Sequence, residues 1–196
     1  MRSHVSDPYV QQAAAQGWRS RAAFKLIELA ARDRLLAPGL TVIDLGAAPG
    51  SWSQVAAGRV RPGGRVIALD LLEMEPVAGV ESIRGDFGDD AVLRQLENAL
   101  GRTRADLVLS DMAPNISGVA ASDQARAVHL CELALEFAVG HLNPGGAFLV
   151  KTFQGAGYPA FLASMRSAFK SVVSRKPEAS RGRSAEMYLL GRGLKP

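Results

Sequence analysis

The chain has 196 residues, of which 47% are hydrophobic and 21% are charged, proportions ordinary for a globular protein that buries one full core. Its net charge is +4, no apolar run reaches the roughly 18 residues of a membrane span, and residues 1–10 lack the apolar core of a secretory signal. The single cysteine, Cys131, excludes an internal disulfide and lies in an apolar helical run that predicts a packing role. We therefore expect a cytoplasmic protein with no membrane contact.

Residues 1–39 are predicted to be a helical lead-in. Residues 7–16 are weakly helical, and residues 20–36 predict a longer helix with Phe24, Ile27 and Ala31 on its apolar face. The pair Pro38-Gly39 ends this helix.

Strand and helix patterns alternate through the rest of the chain. Strands are predicted at 40–45, 65–70, 80–84, 105–110, 147–153, 171–174 and 186–191, with helices at about 52–60, 90–100, 122–141 and 159–169. A turn is predicted at 143–146, and the last strand has too little preceding sequence for a crossover helix, so it should pair antiparallel with the sixth. We expect a doubly wound α/β fold in one domain, 1–196, comprising the lead-in, a core at 40–153 and a C-terminal helix, basic loop and hairpin at 154–196.

The stretch from 40 to 54 predicts a small-molecule site. An apolar strand leads through Asp44 into a turn from Gly46 to Gly50, and Ser51 or Ser53 can cap the helix that follows. Glycines let a ligand approach the backbone closely, and the free N–H groups of a helix start face it. The turn is neither a dinucleotide fingerprint, because Ala48 replaces the middle glycine, nor a phosphate-binding P-loop.

Four acids close the first four predicted strands, namely Asp44, Asp70, Asp86 and Asp111. One or two of them can be ordinary helix caps, but four along one sheet edge suggest a cationic or hydroxyl-rich ligand. S-adenosylmethionine is both, since its ribose diol suits Asp70, its adenine amine suits Asp86 and its sulfonium suits an acid-lined pocket. We expect this cofactor and no metal.

Lys151 is a further candidate, because it lies in an apolar strand, where a buried lysine needs a partner or a depressed pKa. A lysine that faces solvent at the sheet edge is the alternative.

Basic residues concentrate at the two ends of the chain. Residues 1–40 have a net charge of +3, residues 41–150 of −6 and residues 151–196 of +7. The two ends can share one positive surface, which indicates a polyanionic partner such as nucleic acid. The candidate RNA contacts are Arg19, Arg21, Arg175, Lys176, Arg181 and Arg183.

Five motifs, in this order, resemble the FtsJ-like RNA 2′-O-ribose methyltransferases. They are Arg19-Ser-Arg-Ala-Ala-Phe-Lys-Leu26, Asp44-Leu-Gly-Ala-Ala-Pro-Gly-Ser-Trp52, Ser110-Asp-Met-Ala-Pro-Asn-Ile-Ser-Gly118, Val150-Lys-Thr-Phe153 and Lys176-Pro-Glu-Ala-Ser-Arg-Gly-Arg-Ser-Ala-Glu-Met-Tyr188. The likeness covers nearly the whole chain and is greatest to bacterial members that modify a uridine in large-subunit (23S) ribosomal RNA.

The resemblance implies a fold, a site and a partner. The fold is a Rossmann-like methyltransferase fold with a mostly parallel seven-stranded sheet, an antiparallel last strand and helices on both faces. The implied catalytic set is Lys25, Asp111, Lys151 and Glu186. The implied cofactor contacts are Gly46, Ala47, Pro49, Gly50, Trp52, Asp70, Asp86 and Asp111. The implied partner is ribosomal RNA within the large subunit, bound by a monomer, with another RNA such as tRNA as the alternative substrate.

The chemistry accounts for such a set. A ribose hydroxyl is a poor nucleophile, so its proton must leave before or during attack on the methyl group. A lysine accepts this proton only when burial and a second nearby ammonium lower its pKa, and nearby carboxylates oppose that effect. We expect Lys151 to be the base, with Lys25 as the second ammonium.

Three other functions fit the sequence less well. An amino-group methyltransferase usually places an aromatic residue in the turn after the fourth strand, and residues 111–114 contain none. A non-catalytic RNA-binding module leaves the row of acids and Lys151 without a role. An NAD-dependent oxidoreductase does not fit the glycine pattern.

Overall fold

The computed structural model describes residues 7–180 and 184–196, which contain one mixed sheet flanked by helices. The strands are β1 (Thr41–Leu45), β2 (Arg65–Asp70), β3 (Val80–Arg84), β4 (Ala105–Ser110), β5 (Leu142–Phe153), β6 (Phe169–Arg175) and β7 (Glu186–Leu194). The helices are α1 (Pro8–Ala15), α2 (Ala22–Asp33), α3 (Ser51–Val60), α4 (Asp90–Leu100), α5 (Ala120–His141) and α6 (Tyr158–Ala168). The α/β class expected from the sequence is confirmed.

The order of the strands creates a crevice. They lie side by side as β3-β2-β1-β4-β5-β7-β6, and the five strands from β3 to β5 in this order pair with one another in parallel. The chain therefore winds from β1 out to β3 and then returns to β4 on the other side of β1. Loops that diverge at such a reversal leave a ligand crevice at the carboxyl ends of the two central strands.

The sheet is buried on both faces. Leu26 of α2 and Val55 of α3 belong to one apolar cluster, and Leu96 of α4, Leu135 of α5 and Met165 of α6 belong to the other. This explains why the central strands read as continuous apolar runs rather than as alternating ones. Within the described ranges, no helix combines the length and apolarity needed to span a membrane.

The last strand pairs antiparallel with the sixth, as expected, and it ends at Leu194 instead of at the predicted residue 191. β7 runs antiparallel to β6, and it also inserts between β6 and β5, antiparallel to both. Its register places Lys151 opposite Tyr188 and Phe153 opposite Glu186. The insertion thus joins the C-terminal hairpin to the strand that bears Lys151.

The predicted turn at 143–146 is wrong as a strand boundary. β5 already begins at Leu142, which pairs with Ala105, and the next paired position is Ala147 with Leu107. Asn143 Nδ2 donates a hydrogen bond to Asp106 Oδ1 over 2.8 Å. The Pro-Gly segment is therefore an irregularity inside the strand, because pairing resumes beyond it.

The apolar face predicted for α2 is right at Ile27, which packs against the core, but wrong at Ala31. Ala31 is exposed and Phe24 and Ile27 are only half-buried, whereas Leu26 and Leu29 are buried. Adjacent positions on a helix are about 100° apart, so an error of one residue turns the face substantially. The true face points at α3 and the sheet, and Lys25 is buried beside it.

Candidate functional site

A cavity of about 380 Å³ lies at the carboxyl edge of the sheet. It is lined by Gly46 and Ala48 after β1, by 69–72 at the end of β2, by 85–87 after β3, by 111–115 after β4 and by Leu130 of α5. Its volume falls within the range of small-molecule pockets, roughly 300–1,000 Å³. The topology therefore brings the loops after β1, β2, β3 and β4 to one site.

Three of the four strand-end acids line this cavity, namely Asp70, Asp86 and Asp111. The expectation for Asp44 is wrong, because its side chain is 0% exposed and points into the protein. Asp44 Oδ2 accepts a hydrogen bond from Ser53 Oγ over 2.6 Å, and Oδ1 has no partner among the described residues. The row of acids at the cavity therefore has three members.

Asp70 holds two walls of the cavity together. Its Oδ2 accepts the backbone N–H of Ala48 over 2.9 Å, and its Oδ1 accepts the backbone N–H of Leu72 over 2.8 Å. An ionised carboxylate has about four acceptor sites, so Asp70 retains capacity for a ligand hydroxyl. The Asp86 carboxylate accepts only the backbone N–H of Gly88 among the described hydrogen bonds, over 2.9 Å.

The glycine turn is shaped by close approaches. Gly46 has φ 75°, and a Cβ there would lie 2.8 Å from the backbone nitrogen of Met112, so the loops after β1 and β4 meet only because this residue is glycine. The expected serine cap of α3 is wrong, because the N-cap is Gly50, Ser53 bonds Asp44, and Ser51 Oγ lies 2.8 Å from Ser20 Oγ.

Four expected cofactor contacts, Ala47, Pro49, Gly50 and Trp52, are not among the residues that line the cavity. The Trp52 side chain is core, since the residue is 2% exposed and its indole N–H donates to the Ala22 carbonyl over 2.9 Å. Its ring packs against Tyr188 with centroids 5.7 Å apart. Trp52 therefore packs beneath the surface against Tyr188. Because it is buried, its side chain would have to move to contact a ligand directly.

Beside Asp111, two lysines and two carboxylates form a largely buried network. Lys25 Nζ donates to Glu186 Oε1 over 2.5 Å. Lys151 Nζ donates to the Asp111 carbonyl over 2.5 Å and lies 3.2 Å from Asp111 Oδ1. Lys25 is 7% exposed and Lys151 8%, so the alternative of a solvent-facing Lys151 is wrong. The structure brings together all four residues expected to be catalytic.

The sequence did not reveal that Tyr188 joins the two ion pairs. Its hydroxyl donates to Asp111 Oδ1 over 2.8 Å and lies 3.4 Å from Glu186 Oε1. Ser180 Oγ adds a hydrogen bond to Glu186 Oε1 over 3.0 Å. Spacing offered a signal for Tyr188, because residues i and i+2 of a strand share a face and Tyr188 follows Glu186 by two.

The charges of the network follow from its contacts. Burial opposes ionisation of Glu186, but the hydrogen bond and charge of Lys25 lower the pKa of this carboxyl, which is therefore ionised. Burial raises the pKa of the Tyr188 hydroxyl well above its usual range, and the charges of Asp111 and Glu186 raise it further. Tyr188 therefore remains a neutral hydrogen-bond donor.

Cys131 lies outside this network. Burial raises the pKa of its thiol to about 12, so the thiol is not a reactive nucleophile.

Most of the described basic residues expected to bind RNA have structural partners. Arg175 forms two hydrogen bonds to the Asp33 carboxylate, of 2.8 and 2.7 Å, and Arg21 contacts Asp7 Oδ2 over 3.0 Å. Lys176 is exposed and donates to the Ser184 carbonyl over 3.0 Å. Residues Arg181 and Arg183 lie outside the described residues.

Arg19 ties the cavity walls together. Its guanidinium donates to the backbone carbonyls of Pro49, Glu75 and Pro76 over 2.9, 2.5 and 2.7 Å. A Cβ at Gly50, where φ is 105°, would lie 2.7 Å from Arg19 Nη1, so this glycine leaves room for the guanidinium. Arg19 therefore joins the turn after β1 to the loop after β2, and both segments contribute to the cavity.

Known proteins are similar to this sequence along its whole length. A profile of the FtsJ-like methyltransferase family matches residues 18–194. Relatives from Dechloromonas aromatica and Azoarcus sp., each named Ribosomal RNA large subunit methyltransferase E, are 62% and 61% identical to the chain over 195 residues. These alignments cover 100% of this chain and 95% of each relative.

Solved structures share the fold. A protein described as a ribosomal RNA methyltransferase from Plasmodium falciparum superposes with a TM-score of 0.80 at 31% identity, covering 90% of this chain and 98% of that one. A fibrillarin pre-rRNA processing protein from Methanococcus jannaschii gives 0.56 at 14% identity, covering 83% and 70%. At that identity the second likeness shows the fold alone.

The buried carboxyl of Asp44 predicts a specific pH dependence of stability. Burial raises its pKa from 3.8 to about 7, the hydrogen bond from Ser53 opposes this, and the charges of Asp111 and Asp70 add to it. Because the folded state holds this proton more tightly than the unfolded state, Asp44 makes the protein less stable as pH rises from about 4 to 7. The full loss is on the order of 4 kcal/mol.

Chemical denaturation of Asp44→Asn and the native protein at pH 5 and pH 8 measures this effect. The neutral amide has no proton to lose, so the free energy of unfolding of the variant, relative to the native protein, should rise between the two pH values. A constant difference would show that Asp44 is already ionised at pH 5.

Proposed function

Since this chain belongs to the FtsJ-like methyltransferase family, we propose that it transfers a methyl group from S-adenosylmethionine to the ribose 2′-hydroxyl of a uridine in large-subunit (23S) ribosomal RNA. The observation that carries the proposal is the buried Lys151 ammonium held on Asp111 at the edge of a cavity lined by three carboxylates. The names of the two bacterial relatives support the choice of ribosomal RNA. Methylation of another RNA such as tRNA is the alternative.

The residues of the cavity fit S-adenosylmethionine. Asp70 suits the ribose diol, Asp86 suits the adenine amine, and Asp111 adds negative charge near a sulfonium. The apolar side chains of Leu71 and Leu72 offer a surface for the adenine ring. When bound, the cofactor supplies an electrophilic methyl group on positively charged sulfur.

The protein's own residues would prepare the hydroxyl. Lys151, once neutral, accepts the proton of the 2′-hydroxyl as the oxygen attacks. Asp111 holds the Lys151 amine by its carbonyl and its carboxylate, and Tyr188 holds Asp111. Lys25, fixed by Glu186, provides the second ammonium of the site. Each member is held by another, which fixes the geometry before substrate binds.

RNA binding would rely on the basic C-terminal loop. Lys176 is exposed, and Arg181 and Arg183 follow it in the sequence, so we assign phosphate contacts to these three. We assign no phosphate contact to Arg19, Arg21 and Arg175, because their guanidinium groups already bind oxygen atoms of the protein.

Mapping the modified nucleotide tests the proposed function. Large-subunit RNA from a strain that lacks the gene should lose one methylation-dependent primer-extension stop, and the native gene should restore it. In vitro, tritium transfer from S-adenosylmethionine to naked RNA and to isolated subunits would identify the form of the substrate. Label that enters tRNA and not ribosomal RNA would favour the alternative.

The cofactor assignment predicts how Asp70→Ala behaves. S-adenosylmethionine and its demethylated product should raise the melting temperature of the native protein by mass action, and NAD should not. Loss of a hydrogen bond to a charged acceptor should weaken cofactor binding about ten- to a hundredfold in Asp70→Ala.

Asp70→Ala also removes the hydrogen bonds to the backbone N–H groups of Ala48 and Leu72, so weaker binding alone would not show a contact with the diol. Calorimetry should therefore also measure binding of a form of the demethylated product that lacks the ribose 2′-hydroxyl. If Asp70 grips the diol, removing this hydroxyl weakens binding to the native protein and has much less effect on the variant. Equal losses in both proteins would assign Asp70 a structural role only.

Arg19 and Lys176 should separate the two binding functions. Because Arg19 joins two walls of the cavity, Arg19→Ala should weaken binding of S-adenosylmethionine about tenfold and leave the salt dependence of RNA binding unchanged. Lys176→Ala, the matched control, should keep cofactor affinity and reduce the salt slope of RNA binding by about one. If Arg19→Ala instead kept the cofactor affinity and reduced the salt slope of RNA binding, Arg19 would belong to the RNA-binding surface.

Lys151→Ala should slow single-turnover methyl transfer about 10²–10⁴-fold with RNA still bound, because a positioned base contributes rate enhancement of that order. Lys151→Arg keeps the positive charge and cannot deprotonate, so it should be as slow as the alanine variant. The native rate should rise with pH until the lysine is neutral. Substantial transfer by Lys151→Arg, together with a flat pH profile, would limit Lys151 to positioning the oxygen.

A further inference from the structure

Exposed apolar side chains are concentrated around the cavity. Within the described ranges, the large apolar residues with exposed side chains are Val10, Leu71, Leu72, Ile116, Val119 and Val139. Four of these six lie in the loops that follow β2 and β4, at the carboxyl edge of the sheet. Single exposed apolar residues need no explanation, but a group beside a ligand cavity indicates a contact surface.

A ligand in the cavity would cover only half of this group. Leu71 and Leu72 line the cavity, whereas Ile116 and Val119 do not. Ile116 is 86% exposed and Val119 is 61% exposed. Ile116 follows directly on residues 111–115, which do line the cavity, and Val119 comes three residues later, so both belong to the loop that begins at Asp111, the partner of Lys151.

The loop that bears Ile116 is anchored to the following helix. Asp123 in the first turn of α5 accepts hydrogen bonds from Ser117 N, Ser117 Oγ and Gly118 N over 2.9, 2.7 and 3.1 Å. Those from Ser117 lower the pKa of Asp123 to about 2, so the anchor is ionised at physiological pH. The apolar side chain is thus presented outward from a fixed position.

The composition of the loop favours a base over a phosphate. Residues 112–122 carry no charged side chain, although the chain as a whole is 21% charged. A neutral apolar surface gives no attraction to the RNA backbone, but it can pack against the face of an unstacked base. Proteins that recognise RNA mostly contact single-stranded segments, whose unstacked bases expose such a face.

We propose that Ile116, together with Val119 of the same loop, contacts the base of the nucleotide whose ribose is methylated and thereby positions the 2′-hydroxyl at Lys151. This inference rests on the proposed function, because it assumes that the ribose is brought to Lys151. The base is attached to that same ribose, so a contact on the base restricts the orientation of the hydroxyl. Ile116 is therefore a positioning residue that touches the substrate.

A double-mutant cycle between protein and RNA tests the contact. One RNA fragment carries the mapped target nucleotide, and a second carries an abasic ribose there that retains its 2′-hydroxyl. Ile116→Ala should lower kcat/KM for methyl transfer about tenfold on the first fragment, equivalent to about 1.4 kcal/mol. It should have little further effect on the abasic fragment, because the partner group is already missing.

Val139→Ala is the matched control, since Val139 is 43% exposed near the C-terminal end of α5, which leads into the amino end of β5 at the opposite sheet edge. It should be neutral on both fragments, and Ile116→Leu should retain activity on the first. The cofactor-induced rise in melting temperature should be the same in all variants.

An equal effect of Ile116→Ala on both fragments would overturn the contact with the base, and so would an Ile116→Ala variant as active as Val139→Ala. Failure of the native protein to methylate a ribose in any RNA would instead overturn the proposed function, and the inference with it.

Discussion

The buried chain of contacts from Lys25 through Glu186, Tyr188 and Asp111 to Lys151 is the constraint on which the site depends. Its members come from α2, from β7 and from the ends of β4 and β5. Removing one member of a buried ion pair leaves an uncompensated charge that costs about 3–5 kcal/mol. The network therefore specifies both the geometry of the site and the docking of α2 and β7 onto the parallel strands.

The position of β7 makes this network possible. Because β7 inserts antiparallel between β5 and β6, Glu186 and Tyr188 reach the carboxyl edge at which β4 and β5 end. A seventh parallel strand would have started at the opposite edge and carried both residues away from Lys151. The antiparallel strand thus brings residues from the C-terminal part of the chain to the crevice of a parallel sheet.

Backbone atoms build much of the cavity. Asp70 and Arg19 each bind backbone groups from two segments, and Gly46 permits the contact between the loops after β1 and β4. Arg19 illustrates why charge alone does not identify the partner of a basic residue. A guanidinium can satisfy carbonyls as well as phosphates, and only the path of residues 71–79 shows which it meets.

The sequence by itself determined the alternation of strands and helices, the acids at strand ends and, through its motifs, the four members of the proposed catalytic set. The alternation and the acids follow from local periodicity and spacing, which a chain carries without its fold, and the catalytic set follows from the resemblance of the motifs to the FtsJ-like family. Only the tertiary structure decided that Asp44 and Trp52 face the core, that Arg175 pairs with Asp33, and that Tyr188 joins the two ion pairs. Each depends on contacts between residues distant in sequence, because burial and partner choice are set by strand order and helix rotation.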